Sequence, residues 1–121
     1  MKINNLSNQN KDILIMGDVF LDIFQTTDIV KISPERPVPV LEPTKTINLL
    51  GGAANVANNI KSIGGSTFLI SKLSNDATSK IIKKLLIDNQ INFKIITDKD
   101  YSSPVKKRIV QNDHQFCRLD N

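Results

Sequence analysis

Short apolar runs alternate with amphipathic stretches along this chain. Asp12-Ile13-Leu14-Ile15-Met16-Gly17 is a continuous apolar run closed by glycine, the pattern of a strand buried on both faces of a parallel sheet. Thr67-Phe68-Leu69-Ile70 makes a second buried strand, and Ile91 to Ile96 gives a third strand. Helical periods lie between them. Ala53, Val56, Ala57, Ile60 and Ile63 recur at helical spacing and predict a face buried against the sheet, while Asn55, Asn58, Asn59 and Ser62 gather on another side. Gly64-Gly65 predicts the stop. From Asp76 to Asn89, Ile81, Ile82, Leu85 and Leu86 oppose Lys80, Lys83 and Lys84, which predicts an amphipathic helix capped by Asn75 or Asp76.

Two segments break this rhythm. Residues 24–50 hold Pro34, Pro37, Pro39 and Pro43, yet Val38 and Val40 alternate, as do Ile47 and Leu49. Because proline is confined to edge strands, bulges and turns, this reads as a small β-ribbon standing off the main sheet. Arg36 within it is either an anion contact or an exposed edge charge that discourages aggregation. Val105 to Val110 and Gln115 to Leu119 read as hairpin arms around Asn112-Asp113, with His114, the only histidine, in the turn. Residues 1–11 are polar, Asn-rich and without period, and read as a disordered N-terminal tail. The order strand, ribbon, helix, strand, helix, strand predicts an α/β fold: a partial parallel sheet flanked by helices, with right-handed crossovers and a protruding ribbon.

Composition narrows the function classes. The 121 residues suffice for one small domain, and 40% hydrophobic with 23% charged residues describes a globular chain. Cys117 is the only cysteine, which excludes an internal disulfide and fits a reducing compartment. One Cys and one His are too few for a zinc site. The longest apolar run near the start, Ile13 to Met16, is far short of a signal-peptide core or a membrane span, so a cytoplasmic location is expected and no membrane association. The formal charge is +4 with basic residues scattered apart from Lys106-Lys107-Arg108, and six aromatic residues without Trp make a poor base-stacking surface. Nucleic acid is not an expected partner.

The candidate chemistry centres on Gly51-Gly52-Ala53-Ala54-Asn55-Val56-Ala57-Asn58-Asn59. Glycines at a strand-to-helix junction let the backbone take positive φ and come close to a ligand, and the N–H groups of the helix's first turn then face that ligand. Three asparagines in five helical positions cost roughly a kcal/mol or more relative to alanine. Asn55 and Asn59, one turn apart, offer amides to a bound molecule; the alternative is that they reflect a chain rich in Asn, Lys and Ile. Asp18 follows the first strand directly, and ligands of open α/β sheets collect at the carboxyl ends of strands. It is placed to accept hydrogen bonds from hydroxyls, with Asp22 able to join it, or else to serve as a turn or cap aspartate.

These residues together resemble a known family. Gly17-Asp18 after the first strand, the proline-rich ribbon, and Gly51-Gly52-Ala53-Ala54-Asn55-Val56-Ala57 closely resemble the N-terminal half of the ribokinase-like, or PfkB, carbohydrate kinases, colinearly from about residue 12 to the end. Ile32-Ser33-Pro34-Glu35-Arg36-Pro37-Val38-Pro39-Val40 and Arg118-Leu119-Asp120 are similar to the bacterial members that phosphorylate D-glycero-β-D-manno-heptose 7-phosphate for ADP-heptose and lipopolysaccharide core synthesis. The resemblance implies that residues 12–121 are the N-terminal part of a kinase domain, the ribbon at about 24–50 being the family's β-lid, which covers the sugar and forms a homodimer contact. It implies that Asp18 holds sugar hydroxyls, that Gly51, Gly52 and Asn55 close around the sugar, that Asn59 lies beside it, and that Lys106 and Arg108 lie near the substrate phosphate. ATP and Mg²⁺ are implied as cofactors.

Two departures from the family pattern stand out. Ser71 and Ser74 occupy positions where family members carry glycine, which predicts a strained turn or a narrowed pocket mouth. No Gly-x-Gly-Asp and no Walker-type Gly-Lys-Ser/Thr is present, so the catalytic base and the nucleotide pocket are expected beyond Arg118-Leu119-Asp120. Phosphoryl transfer depends almost entirely on positioning and charge neutralisation. Two readings therefore stand beside each other: the substrate-binding portion of a sugar-phosphate kinase, with a ribokinase or fructokinase type as its variant, and a truncated or split-gene fragment that turns nothing over unless a complementing C-terminal half is supplied.

Overall fold

A computed structural model describes residues 12–112 and 114–121; the expected tail at 1–11 and Asp113 of the expected turn lie outside the described residues. The strand β1 (Asp12–Met16) leads into two long strands, β2 (Val19–Ile32) and β3 (Pro39–Gly52). The helix α1 (Ala53–Ser62), β4 (Ser66–Leu73), the helix α2 (Ala77–Asp88) and β5 (Asn92–Thr97) follow, and the chain closes with β6 (Val105–Gln111) and β7 (His114–Asp120). The chain divides into two compact units, one made of residues up to Leu21 with Leu50–Pro104, the other of Asp22–Leu49 with Val105–Asn121.

The first unit is a three-stranded parallel sheet in the order β1-β4-β5, joined by α1 and α2. Its α/β class is the one the periodicity predicts. Burial along β4 alternates strictly: Thr67, Leu69, Ser71 and Leu73 are buried, while Phe68 on the opposite side is exposed. The core consists of that buried side together with Ala54, Ala57, Ile82 and Leu86. This corrects the expectation for β1, which is not buried on both faces: Ile13, Leu14 and Met16 are exposed, because β1 is an edge strand and one side of the sheet is bare among the described residues.

Both helices carry the predicted terminators, and one presents a different face. α1 buries Ala54 and Ala57, whereas Val56 and Ile63, assigned to the core by spacing, are exposed. The stripe is rotated toward the small residues, which allow close approach of helix and strand. Gly64 takes φ 87° just past the C-cap Ile63, the left-handed stop expected of a glycine there. α2 is capped by Asp76, whose carboxylate accepts the Ser79 N–H at 2.7 Å, so the cap is Asp76 and not Asn75.

The second unit extends the predicted ribbon into a larger sheet. β2 and β3 are antiparallel arms of 14 residues each, turning through Ser33–Val38, where the Ser33 N–H donates to the Val38 carbonyl at 2.9 Å. The sheet order is β3-β2-β6-β7, so the C-terminal hairpin is part of the ribbon's own sheet. The Thr27 hydroxyl donating to the Val110 carbonyl at 3.4 Å joins them. Pro39 and Pro43 lie on β3, an edge strand, where a missing N–H costs no ladder bond. β6 and β7 pair antiparallel with an irregularity at Ile109/Val110. His114 opens β7 instead of lying in the turn.

Candidate functional site

The carboxyl end of β1 meets the start of α1 in the first unit. The Ala53 N–H, the first of the helix, donates to the Asp18 carbonyl at 2.9 Å, and the Gly17 N–H donates to the Ile70 carbonyl at 3.4 Å. Gly52 is the residue between strand and helix, at φ 62° and ψ −135°, a conformation open to glycine and strained for L-residues. A Cβ at Gly52 would also run into the Asp18 carbonyl oxygen. Gly51 is required for a different reason: a Cβ there would overlap the Phe20 ring. The diglycine thus exists to let β3 end against the Asp18 backbone and Phe20. Phe20 is the residue that reading by motif missed, although an aromatic two positions after Asp18 and opposite a diglycine is a signal for such a contact.

The two helix starts differ in a way that bears on ligand binding. At α2, Asp76 fills the N-terminus with a carboxylate. At α1 the N-cap is Gly52, with no side-chain cap hydrogen bond and no acidic residue in the first turn. The partial positive charge of that helix start is left unanswered by the chain's own side chains, which suits a hydroxyl-rich or anionic guest. Asp18, Asn55 and Asn59 are all exposed, so a carboxylate and two amides are accessible to solvent around one strand-helix junction. Asp18, Gly51, Gly52 and Asn55 are the residues this junction brings together, with Asn59 one turn further along α1.

The remaining predicted residues belong to the second unit. Arg108 on β6 holds Asp22 on β2 in a two-point ion pair, Nε to Oδ1 at 2.9 Å and Nη2 to Oδ2 at 3.3 Å, with Nη1 to Gln115 Oε1 at 3.4 Å. Its guanidinium lies 5.5 Å from the centroid of the Phe24 ring. The hydrogen bond to Asp22 raises the Arg108 pKa from its usual value, against the opposing effect of burial. Asp22 is therefore engaged inside its own sheet. Lys106 lies on the same strand as Arg108, two residues before it.

Ser71 and Ser74 introduce no backbone strain. Among the described residues only Gln90 and Asn112 are non-glycine residues with positive φ, so Ser71 and Ser74 adopt ordinary conformations. Ser71 is a buried strand residue whose hydroxyl has no hydrogen-bond partner among the described residues, and the Ser74 N–H donates to Ser103 Oγ at 3.0 Å.

The family model for pfkB family carbohydrate kinases matches residues 10–119. The chain belongs to the pfkB family. Among curated relatives, the bifunctional protein HldE of Helicobacter pylori (strain G27) is 40% identical over 111 residues, which are 91% of this chain and 24% of the relative. The bifunctional protein HldE of Blochmanniella pennsylvanica is 39% identical over 108 residues, 89% of this chain and 23% of that protein. The D-beta-D-heptose 7-phosphate kinase of Bordetella bronchiseptica is 32% identical, covering 89% of this chain and 34% of the kinase. This pfkB chain thus spans about a quarter to a third of these relatives. A carbohydrate kinase from Agrobacterium tumefaciens superposes with a TM-score of 0.73 at 18% identity, over 92% of this chain and 35% of that structure. A fructokinase with bound ATP from Xylella fastidiosa gives 0.63 at 15% identity, over 93% and 33%. The fold is ribokinase-like.

Among the described residues no three His, Cys, Asp or Glu side chains are grouped to hold a metal ion, and the sequence has no phosphate-cradling glycine motif of the Gly-x-Gly-Asp or Walker type. No nucleotide or metal step is assigned to these residues. Among the described residues no helix is long and apolar enough to cross a membrane.

Proposed function

We propose that this chain is the sugar-binding portion of an ATP- and Mg²⁺-dependent sugar-phosphate kinase, acting in the cytoplasm on heptose 7-phosphate at its anomeric hydroxyl, in the synthesis of ADP-heptose for lipopolysaccharide core. The observation that carries this reading is the start of α1: an uncapped helix N-terminus entered through a positive-φ glycine that packs on the Asp18 backbone. In the proposal Asp18 accepts from sugar hydroxyls, Gly51 and Gly52 let the backbone approach the ring, and Asn55 and Asn59 supply amides. The choice of heptose phosphate over another sugar is supported by the relatives named for that substrate. Lys106 and Arg108 are retained as the basic residues assigned to the phosphate, Arg108 also holding Asp22. The ribbon at about 24–50 is assigned as the homodimer contact.

The test uses a chimera in which this chain replaces the matched portion of the Bordetella bronchiseptica heptose 7-phosphate kinase. Asn55→Ala is expected to raise the KM for the sugar phosphate about fivefold or more, the worth of a hydrogen bond of about 1 kcal/mol or slightly more, with the KM for ATP unchanged. Lys106→Ala is expected to act on the same constant. Sugar kinetics indifferent to Asn55→Ala would remove α1 from the site. A second reading is favoured by the share of the relatives that the chain spans: alone, the 121-residue polypeptide turns nothing over, and activity appears only when a complementing segment is present. Turnover by the isolated chain would contradict it.

A further inference from the structure

We propose that Asp76 is a positioning residue for the junction of Asp18 with α1, acting through the backbone of Ser103 and Pro104; its bearing on sugar binding rests on the reading above that Asp18 holds sugar hydroxyls. Asp76 is half-buried, and its two carboxylate oxygens serve different partners. Oδ1 accepts the Ser79 N–H at 2.7 Å and caps α2, whereas Oδ2 accepts the Ser103 N–H at 3.0 Å. A cap needs only the first, since one side-chain oxygen accepting from the first turn is enough. The second bond reaches 27 residues along the chain, out of α2 and into the segment before β6.

That segment is fastened to the start of β2. The Pro104 carbonyl, next after Ser103, accepts the Leu21 N–H at 3.0 Å. The proline ring fixes φ at Pro104, so its carbonyl follows the peptide plane between Ser103 and Pro104 with little slack. Val19 and Leu21 are 0% and 1% exposed, which clamps the residues on either side of Phe20. Phe20 lies against the diglycine, and the Asp18 carbonyl accepts the Ala53 N–H at 2.9 Å. All of these residues belong to the first unit. Ser103 is 2% exposed, so water does not take the place of an acceptor lost from its N–H. Removing that acceptor loosens Pro104, then Leu21, and through them the strand start that carries Asp18.

Two variants of the chimera separate positioning from stability. Asp76→Ser keeps a good N-cap with a single oxygen, so the α2 cap survives while the Ser103 N–H loses its partner. Lys84→Gly, at an exposed position of α2, weakens the helix by propensity alone and touches none of these bonds. Asp76→Ser is expected to raise the KM for heptose 7-phosphate about fivefold or more, the size of one net hydrogen bond, with the KM for ATP unchanged; Lys84→Gly leaves both constants at their wild-type values. Amide exchange at Leu21 and Ala53 is expected to quicken about tenfold in Asp76→Ser and not in Lys84→Gly. Wild-type exchange at both amides in Asp76→Ser overturns the proposal, and so does an equal quickening in the two variants, because Asp76 then acts only as a helix stabiliser. Faster exchange with an unchanged sugar KM, where Asp18→Ala does weaken sugar binding, also overturns it. Faster exchange in Asp76→Ser alone, in a chimera whose Asp18→Ala variant binds heptose 7-phosphate normally, upholds the positioning network and removes the sugar reading.

Discussion

Replacing Asp76 by alanine removes a carboxylate that ties three segments of the first unit together. One oxygen accepts the Ser79 N–H at 2.7 Å and caps α2; the other accepts the Ser103 N–H at 3.0 Å. Ser103 Oγ in turn accepts the Ser74 N–H at 3.0 Å, so the end of β4, the start of α2 and the segment entering β6 share one anchor. Ser79 and Ser103 are 0% and 2% exposed, and water does not replace what is lost. Removing an N-cap costs about 1 kcal/mol. Losing a hydrogen bond to a charged group, with a buried N–H left over, costs about 1.5 to 3 kcal/mol. Asp76→Ala should therefore destabilise the first unit by about 2 to 4 kcal/mol, a large share of the roughly 5 to 15 kcal/mol that holds a domain folded. Urea unfolding of the chimera followed by circular dichroism reads this as a lower midpoint at an unchanged slope. A loss below about 0.5 kcal/mol, the scatter of ordinary surface substitutions, would refute the three-way anchor.

Three further outcomes follow from the same geometry. Burial alone would raise the Asp76 pKa, but the Ser79 and Ser103 hydrogen bonds outweigh it and hold the group below 3.8; its stabilisation is full above 3.8 and is lost as pH falls through the lower folded value, so Asp76→Asn should flatten the acid limb of a pH-stability curve, and an unchanged limb would contradict this. Gly52→Ala should cost about 1 to 3 kcal/mol of backbone strain, with an added penalty from displacing the Asp18 carbonyl, seen as faster amide exchange at Ala53; wild-type exchange there would contradict the close approach. Asp22→Asn should weaken the second unit by about 1.5 to 3 kcal/mol, and Arg108→Lys should fail to replace the two-point pair; full stability with Lys at 108 would show that the fork geometry is irrelevant.

What could be read from the residues was local. The α2 period, its acidic cap and its end near Asn89 are set within a dozen residues, and α1 with its glycine stop is equally self-contained. The burial of β1 was misjudged because a run of Ile13 to Met16 looks the same at the edge of a sheet as at its centre; only the neighbouring strands decide. The α1 face was misplaced because apolar spacing favours Val56 and Ile63, whereas close packing on the sheet selects Ala54 and Ala57. The union of the C-terminal hairpin with the proline-rich ribbon depends on contacts such as Thr27 to Val110, 83 residues apart, and the Asp22–Arg108 pair spans 86. A charged residue inside the run Val19 to Phe24 was the available hint that Asp22 needed a cation. Of the candidate site, the glycine junction was legible because φ and close approach limit it to glycine; the Phe20 contact was not, since it depends on how β3 meets β2's first residues.

In the proposed site Asp18, whose backbone carbonyl accepts the Ala53 N–H at the start of α1, grips the hydroxyls of a sugar phosphate. Calorimetric titration of D-glycero-β-D-manno-heptose 7-phosphate into the chimera and into its Asp18→Ala variant tests it most directly. The Kd is expected to rise about tenfold or more, the loss of at least one charge-assisted hydrogen bond of about 1.5 to 3 kcal/mol, with an undiminished affinity for ATP. Equal sugar-phosphate affinity in the two proteins would contradict it.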